Sequence, residues 1–86
     1  MRLLWEDRAW EQYCQWQQES KKKLKRINEL LKDIKRNCYE GIGKPEPLSG
    51  DLSGWWSRRI DETNRIVYKK TDEEIIIISS CKTHYE

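Results

Sequence analysis

The sequence predicts an α+β fold in which an antiparallel sheet carries two helices packed on one face. The first half of the chain has two sets of apolar residues at the three- and four-residue spacing of helices. The second half has three short segments with strand-like alternation, separated by turn-forming residues. The chain has 86 residues, which predicts one domain over residues 1–86 with a single modest core.

The N-terminal elements are predicted to be a short strand and an amphipathic helix. We expect the strand at Leu3-Leu4-Trp5 and the helix over residues 7–18. The side chains that recur at helical spacing here are Trp5, Ala9, Trp10, Tyr13 and Trp16. Because tryptophan and tyrosine carry large apolar areas, most of these side chains are expected in the core.

A second helix is expected to begin after Ser20 and to end near Asn37. The Ser20 hydroxyl is suited to accept a hydrogen bond from the first turn of that helix. Its apolar stripe comprises Leu24, Ile27, Leu30, Leu31 and Ile34. Residues 20–36 hold eight Lys and Arg side chains against two carboxylates, a net charge of +6. Such a block indicates either a polyanionic partner such as nucleic acid or a solvated helix face, and the sequence leaves both open.

The C-terminal half is predicted to be a loop followed by three strands. Residues 41–50 form the loop, in which Glu46 is held extended between two prolines. The strands are expected at residues 55–60, 65–69 and 75–81.

The first of these three strands has two distinct sides. Alternation puts Trp56, Arg58 and Ile60 on one side and Trp55, Ser57 and Arg59 on the other. One of the two adjacent tryptophans therefore points away from the core, which makes Trp55 or Trp56 a candidate for stacking on a base.

Features that are absent from the sequence indicate where the protein is located and in which state its cysteines are. No segment is apolar enough to span a bilayer, and the first residues lack the hydrophobic stretch of a secretory signal. We therefore expect a cytoplasmic protein. Cys14, Cys38 and Cys81 are odd in number and contain no close pair, which favours reduced thiols over disulfides or a zinc site.

Several residues suit cleavage of RNA by attack of a ribose 2′-oxygen on the neighbouring phosphorus. That reaction needs a base, an acid and cations over the charged phosphorane, and it requires no metal or cofactor. Glu46 is a candidate base, and His84, just after the last predicted strand, is a candidate acid. Arg58, Arg59 and Arg65 are candidate phosphate ligands, because guanidinium pairs with phosphate in a bidentate way.

Tyr85 is suited to stack on a base or to hold the phosphate. The other candidate residues also have simpler, non-catalytic interpretations. Glu46 is equally well explained as a solvated loop residue, and Arg58 and Arg59 as charges on an exposed sheet face. His84 is two residues from the last residue of the chain, where a side chain is useful only if the backbone is held in place.

The ordered set of motifs resembles the YoeB branch of the RelE/ParE toxin superfamily, the bacterial mRNA interferases. The resemblance covers almost the whole chain, and it is specific as an ordered set although each piece is weak alone. The matching segments are Leu4-Trp5, Trp10, Trp16-Gln17, residues 25–30, residues 43–48, Leu52-Ser53-Gly54, residues 56–60, residues 64–68 and His84-Tyr85.

The resemblance implies a small ribonuclease-like α+β protein of the bacterial cytoplasm that cuts mRNA in the ribosomal decoding site without a cofactor. It also implies a labile antitoxin of the YefM type, and it makes a homodimer plausible. The site residues that it implies are Glu46 as general base, His84 as general acid, Arg59 and Arg65 as phosphate and transition-state ligands, Tyr85 as a further site residue and Lys44 as a nearby electrostatic contributor.

Two other functions are compatible with the same scaffold. A non-catalytic inhibitor would resemble the ParE branch, which blocks DNA gyrase, since a fold does not fix a function. A ribonuclease active on free RNA would need no ribosome. The proposed proton donor and acceptor argue against the inhibitor, because a blocking protein needs neither.

Overall fold

A computed structural model describes residues 1–82 of the chain. Its helices and strands follow the order strand, helix, helix and four strands. They are β1 (Arg2–Trp5), α1 (Asp7–Glu19), α2 (Lys21–Arg36), β2 (Glu46–Pro47), β3 (Trp56–Arg59), β4 (Arg65–Lys70) and β5 (Ile75–Ser80), with a single 3₁₀ turn at Gly50–Leu52. The α+β class and both predicted helices are confirmed.

The five strands form one sheet in the order β1-β5-β4-β3-β2. β3, β4 and β5 form the predicted antiparallel meander. The expectation of a purely antiparallel sheet is wrong at one edge, where β1 pairs with β5 in parallel. A parallel partner needs a long crossover, and the chain supplies one through both helices and the meander.

β2 corrects the prediction that residues 41–50 are entirely loop. Glu46 pairs with Ser57 and Pro47 with Trp56. Two residues are too few to show alternation in a sequence. Pro47 also lacks an N–H, which is tolerated because β2 is an edge strand.

Ser20 ends one helix and begins the next. Its backbone N–H donates to Trp16 O at 3.0 Å, and its hydroxyl accepts from the Lys23 N–H at 3.2 Å. This confirms the predicted cap and explains how the two helices join with a single residue between them. Within residues 1–82, no helix has the length and apolar character needed to cross a membrane.

The core lies between the helices and one face of the sheet. α2 contributes Ile27, Leu30 and Ile34, all fully buried, as the predicted stripe requires. The sheet contributes the buried side chains Ile66, Tyr68, Ile76 and Ile78. Burying an aliphatic side chain of this size stabilises the fold by roughly 1.5–3 kcal/mol. On the opposite face of the sheet, Ser57 and Val67 are also buried, whereas Arg59 is exposed and Arg65 is half-buried.

The aromatic residues of α1 divide between the core and the surface. Trp16 is buried, and Trp5 and Tyr13 pack partly buried against the core. Trp10 is 49% exposed and is the exception to the expectation that most of these side chains lie in the core. It instead stacks on Tyr13, with ring centroids 5.8 Å apart, and meets Trp5 edge-on.

Candidate active site

The sheet register places four residues in one row across four strands. Glu46 pairs with Ser57, Ser57 with Val67, and Val67 with Ser80. Regularly paired residues project from the same face of a sheet, which holds for Glu46, Ser57 and Val67. The pair of Val67 and Ser80 lies at a register shift between Val67 and Tyr68. The spacing of neighbouring strands puts the two ends of this row roughly 14 Å apart. Backbone pairing therefore connects β2, which carries Glu46, to the end of β5.

Arg59 and Arg65 form the next pair along the same face. They lie directly opposite each other, two residues beyond the pair of Ser57 and Val67. Arg59 is exposed and Arg65 is half-buried. Two guanidinium groups side by side repel one another, so the pair is suited to hold an anion between or above them.

The β3–β4 turn fixes the direction of Arg65. The Asp61 carboxylate accepts from the Asn64 N–H at 2.6 Å and the Thr63 N–H at 2.7 Å, and it lies 3.0 Å from Lys23 Nζ. Burial alone would raise the pKa of Asp61, but these hydrogen bonds outweigh burial and lower it well below its usual range. The turn that the ionised Asp61 side chain organises also presents two backbone oxygens to Arg65. Arg65 Nη1 donates to the oxygen of residue 61 at 2.9 Å and to that of residue 64 at 3.2 Å.

The segment that carries Lys44 and Glu46 is attached to β3. The Arg59 N–H donates to Gly43 O at 2.7 Å. Gly43 has a φ of +80°, and a Cβ atom there would lie 2.7 Å from a Leu30 methyl group, so a glycine is required. Lys44 follows with a φ of +53°, a conformation that non-glycine residues adopt mainly at special sites. Lys44 and Glu46 are both exposed.

Arg58 is not a phosphate ligand, and that prediction is wrong. Its side chain is fully buried on the helix-facing side of the sheet. Its Nη1 lies 2.6 Å from Asp33 Oδ2, and its Nε donates to Tyr68 Oη at 3.0 Å. The physical reason is alternation, because the side of β3 that holds Arg58 also holds Trp56 and faces the core.

Trp55 is the stacking candidate of the adjacent tryptophan pair. Trp56 packs partly buried against the core and against Tyr39, with ring centroids 4.8 Å apart. Trp55 alternates to the side of Arg59, where the Lys69 ammonium lies 5.5 Å from its ring centroid. An aromatic ring with a cation thus lies on the side of β3 that carries Arg59, separated from the arginine pair by Ser57 and Val67.

His84 and Tyr85 lie outside the described residues. The chain that leads to them is held by one side of α1. Gln12 Oε1 accepts the Cys81 N–H at 2.7 Å, and Trp16 Nε1 donates to Cys81 O at 2.8 Å. Lys82 Nζ bonds to Gln15 at 2.7 Å and forms an ion pair with Glu19.

Sequence reasoning did not identify this anchoring side of α1. Arg8 belongs to it as well, because its guanidinium donates to the backbone oxygen and hydroxyl of Ser79 at 3.3 and 3.2 Å. The residues share one helical side at spacings of three, four and seven: Arg8, Gln12, Gln15, Trp16 and Glu19. That spacing was visible in the sequence, but only the structure shows what the side contacts.

The cysteines offer no nucleophile at this site. Cys38 and Cys81 are buried and all three thiols are free. Burial raises the pKa of Cys81 to about 12, so the thiol stays protonated at neutral pH. In the described part of the chain, no three His, Cys, Asp or Glu side chains are grouped as metal ligands.

Solved structures with the same architecture are bacterial toxins. The YoeB/ParE toxin from Agrobacterium tumefaciens aligns with a TM-score of 0.95 at 38% identity, covering 99% of this chain and 100% of that one. The toxin in a YoeB-YefM complex from Staphylococcus aureus aligns with a TM-score of 0.90 at 49% identity, covering 99% and 98% of the two chains. YafQ from E. coli, at 16% identity and a TM-score of 0.79, shares the fold alone.

The fold class is therefore that of small α+β toxins of bacterial toxin-antitoxin systems. Residues 5–85 match the sequence profile of the YoeB-like toxin of bacterial type II toxin-antitoxin systems. Toxin YoeB of Streptomyces coelicolor is 51% identical over 85 residues, covering 99% of this chain and 100% of the relative. The chain belongs to the YoeB-like toxin family.

Proposed function

We propose that this toxin is a ribosome-dependent mRNA endonuclease that cuts the message at the A site and thereby stops translation. Glu46 is the general base, which takes the proton of the ribose 2′-OH as the 2′-oxygen attacks phosphorus. His84 is the general acid, which protonates the departing 5′-oxygen. Arg59, Arg65 and Lys44 stabilise the charged phosphorane, and Tyr85 completes the site.

The observation that carries the proposal is the shared face of Glu46, Arg59 and Arg65. Glu46 lies in the row that also contains Ser57, and the arginine pair lies two residues further along β3 and β4. Two residues of a strand span roughly 6.6 Å, the scale of one nucleotide. Glu46 is offset from the arginine pair by this step along the strands and by one strand spacing from Arg59 and two from Arg65. The long side chains of all three residues reach across such distances, which suits a 2′-OH and its neighbouring phosphate.

The ribosome is proposed to supply the positioning that this open site lacks. Glu46, Lys44 and Arg59 are exposed rather than enclosed in a cleft. Holding reactants in the right geometry is worth large rate factors, and a ribosome-bound message is already held. The site of action is then the bacterial cytoplasm, where translation takes place.

The proposed protein partners follow the solved relatives. Staphylococcus aureus toxins at 49% identity have been solved as a YoeB-YefM complex and as a YoeB dimer. We propose that a YefM-like antitoxin neutralises this toxin and that the toxin forms a homodimer. Size-exclusion chromatography of the toxin, alone and with an antitoxin, measures both associations.

The deciding experiment is primer extension on mRNA in a translation extract, with the protein and its Glu46→Gln and His84→Gln variants. We expect cuts at A-site codons with the wild type and almost none with either variant, although both variants still sediment with ribosomes. Glu73→Gln, at an exposed position in the β4–β5 turn, is the matched control and should cleave normally. Cuts on naked RNA would contradict ribosome dependence. Inhibited DNA gyrase without cuts would support the ParE-like alternative.

A further inference from the structure

The segment between α2 and β2 is organised around one buried side chain. All five N–H groups of the Arg58 guanidinium have an acceptor. Nε donates to Tyr68 Oη, Nη1 to Asp33 Oδ2 and Ile42 O, and Nη2 to Asn37 O and Glu40 O, at 2.6 to 3.2 Å. Three of the five acceptors are backbone oxygens of residues 37–42. The guanidinium thus replaces the hydrogen bonds that a helix or strand would give this stretch.

Two neighbours of Arg58 bind the same segment. The Asp33 carboxylate also accepts the Ile42 N–H at 2.9 Å. The Tyr68 hydroxyl donates to Cys38 O at 2.6 Å. Gly41 has a φ of +136°, and a Cβ atom there would lie 1.8 Å from Asp33 Oδ2, so the backbone is packed directly onto the carboxylate.

We propose that Arg58, Asp33 and Tyr68 are positioning residues that hold the segment of Lys44 and Glu46 against β3. This inference rests on the proposed function and assigns these three buried groups a part in it. The link is short, because the segment they hold ends at Ile42, Gly43 O is bonded to the Arg59 N–H, and Glu46 pairs with Ser57. Arg58 and Arg59 are neighbours in β3, so one arginine fixes the loop from inside while the next faces the substrate.

A positioning role differs from a general contribution to the core. A misplacement of about 1 Å at a reacting group can cost roughly 100-fold in rate, while the fold and the outer binding surface stay intact. Lysine cannot replace Arg58 in this role, since a point charge lacks the planar fork that serves five acceptors. Arg58→Lys therefore keeps the charge and loses the organisation of the segment.

The test compares Tyr68→Phe, Asp33→Asn and Arg58→Lys in single-turnover cleavage on programmed ribosomes. Tyr68→Phe removes one hydroxyl and is the mildest variant. Tyr13→Phe is its control, because the Tyr13 hydroxyl bonds to Asn28 at 2.7 Å on the surface between the helices. Hydrogen exchange of the Ile42 and Arg59 amides reports directly on the attachment of the segment.

We expect Tyr68→Phe to fold, to bind ribosomes with unchanged affinity and to cleave roughly 10- to 100-fold more slowly, with faster exchange at both amides. Tyr13→Phe should cleave at the wild-type rate. In a Glu46→Gln background, Tyr68→Phe should cause little further loss, because the group that it positions is already absent. A merely structural role would lower the rate in both backgrounds equally.

Two failures are distinguishable. If the wild type does not cut ribosome-bound mRNA, the proposed function fails, and the positioning role fails with it. If the wild type cuts and folded Tyr68→Phe and Asp33→Asn cut at the same rate, only the positioning role is overturned.

Discussion

Arg59 of β3 and Arg65 of β4 lie directly opposite each other on the face of the sheet that is opposite to buried Arg58. Like charges at paired positions of an antiparallel sheet are destabilising, commonly by a few tenths of a kcal/mol to about 1 kcal/mol. The carbonyl oxygens of the β3–β4 turn take up part of the Arg65 charge, and Arg59 remains exposed. The pair therefore lowers stability in the absence of an anion and favours binding of one.

This pairing predicts that activity and stability change in opposite directions in Arg59→Gln. Loss of one charge should raise the free energy of unfolding by about 0.5 kcal/mol, since the repulsion disappears. Cleavage should fall roughly 100-fold, because the proposed mechanism uses Arg59 as a cation over the phosphorane. Thermal melts and primer extension measure the two effects.

Sulfate provides an independent check on the same pair. An anion that binds the folded state raises its melting temperature. Sulfate should therefore stabilise the wild type more than Arg59→Gln. Arg2→Gln is the matched control, because Arg2 is exposed on the edge strand β1, away from the pair. An equal sulfate effect in all three proteins would argue against an anion site at this pair.

Asp33 predicts a specific acid sensitivity. Hydrogen bonds from Arg36, from the Ile42 N–H and from Arg58 hold the pKa of Asp33 well below its usual range. The unfolded chain takes up a proton near pH 4, whereas the folded chain does not. The contribution of Asp33 is therefore fully present above about pH 5 and is lost progressively as the pH falls below the unfolded value toward the folded one.

The Asp33→Asn variant measures that contribution. At pH 7 its free energy of unfolding should be about 3 kcal/mol lower than that of the wild type, because the Arg58 charge stays buried after its carboxylate partner is lost. The difference from the wild type should narrow as the pH falls below about 4. Urea titrations at several pH values give the comparison, and a difference that stays constant down to pH 2 would contradict the linkage. Arg36→Ala, which removes an exposed partner of the same carboxylate, should cost far less.

Most elements were predictable because local patterns carry them. The apolar stripe and Ser20 fixed the limits of α2 to within a residue. Period-two alternation with a four-residue turn placed Arg59 and Arg65 on paired strands. Alternation also placed Arg58 with Trp56 on the core side, a signal that the interpretation of Arg58 as a phosphate ligand overlooked.

The features that could not be predicted from the sequence depend on contacts between residues far apart in the chain. The parallel pairing of β1 with β5 joins positions more than seventy residues apart, and no local pattern encodes it. Asp33 sits within a basic helix face, where its sequence context is that of a surface ion pair. Only the packing of residues 37–43 over β3 shows that it serves Arg58.

The basic face of α2 predicts a salt-dependent contact with the ribosome. Lys22 and Lys25 are exposed, whereas Lys23 is engaged by Asp61. Glu at both exposed positions should weaken cosedimentation with ribosomes and reduce its salt dependence, because fewer counterions are released. Circular dichroism should be unchanged. Arg2→Glu, at an exposed position on the edge strand β1 outside the basic block, serves as the comparison. Unchanged sedimentation of the double variant would leave the basic block as a solvated face.

The anchoring side of α1 predicts that cleavage depends on residues remote from Glu46. Gln12 and Glu19 hold Cys81 and Lys82, and His84 follows Lys82 by two residues. Since two residues span at most about 7 Å, the anchor limits where the imidazole can act. Gln12→Ala should therefore reduce cleavage several-fold while lowering the free energy of unfolding by only about 1 kcal/mol.

The matched control for this anchor is Gln17→Ala, at an exposed position on another side of α1. It should leave both cleavage and stability at the wild-type values. Adding Glu19→Gln to Gln12→Ala should deepen the loss of cleavage, because the second contact of the same segment is weakened. In a His84→Gln background the anchor variants should have almost no further effect, since the proposed general acid is already missing. If instead the anchor variants lower cleavage as much without the imidazole as with it, α1 contributes to the reaction through stability alone.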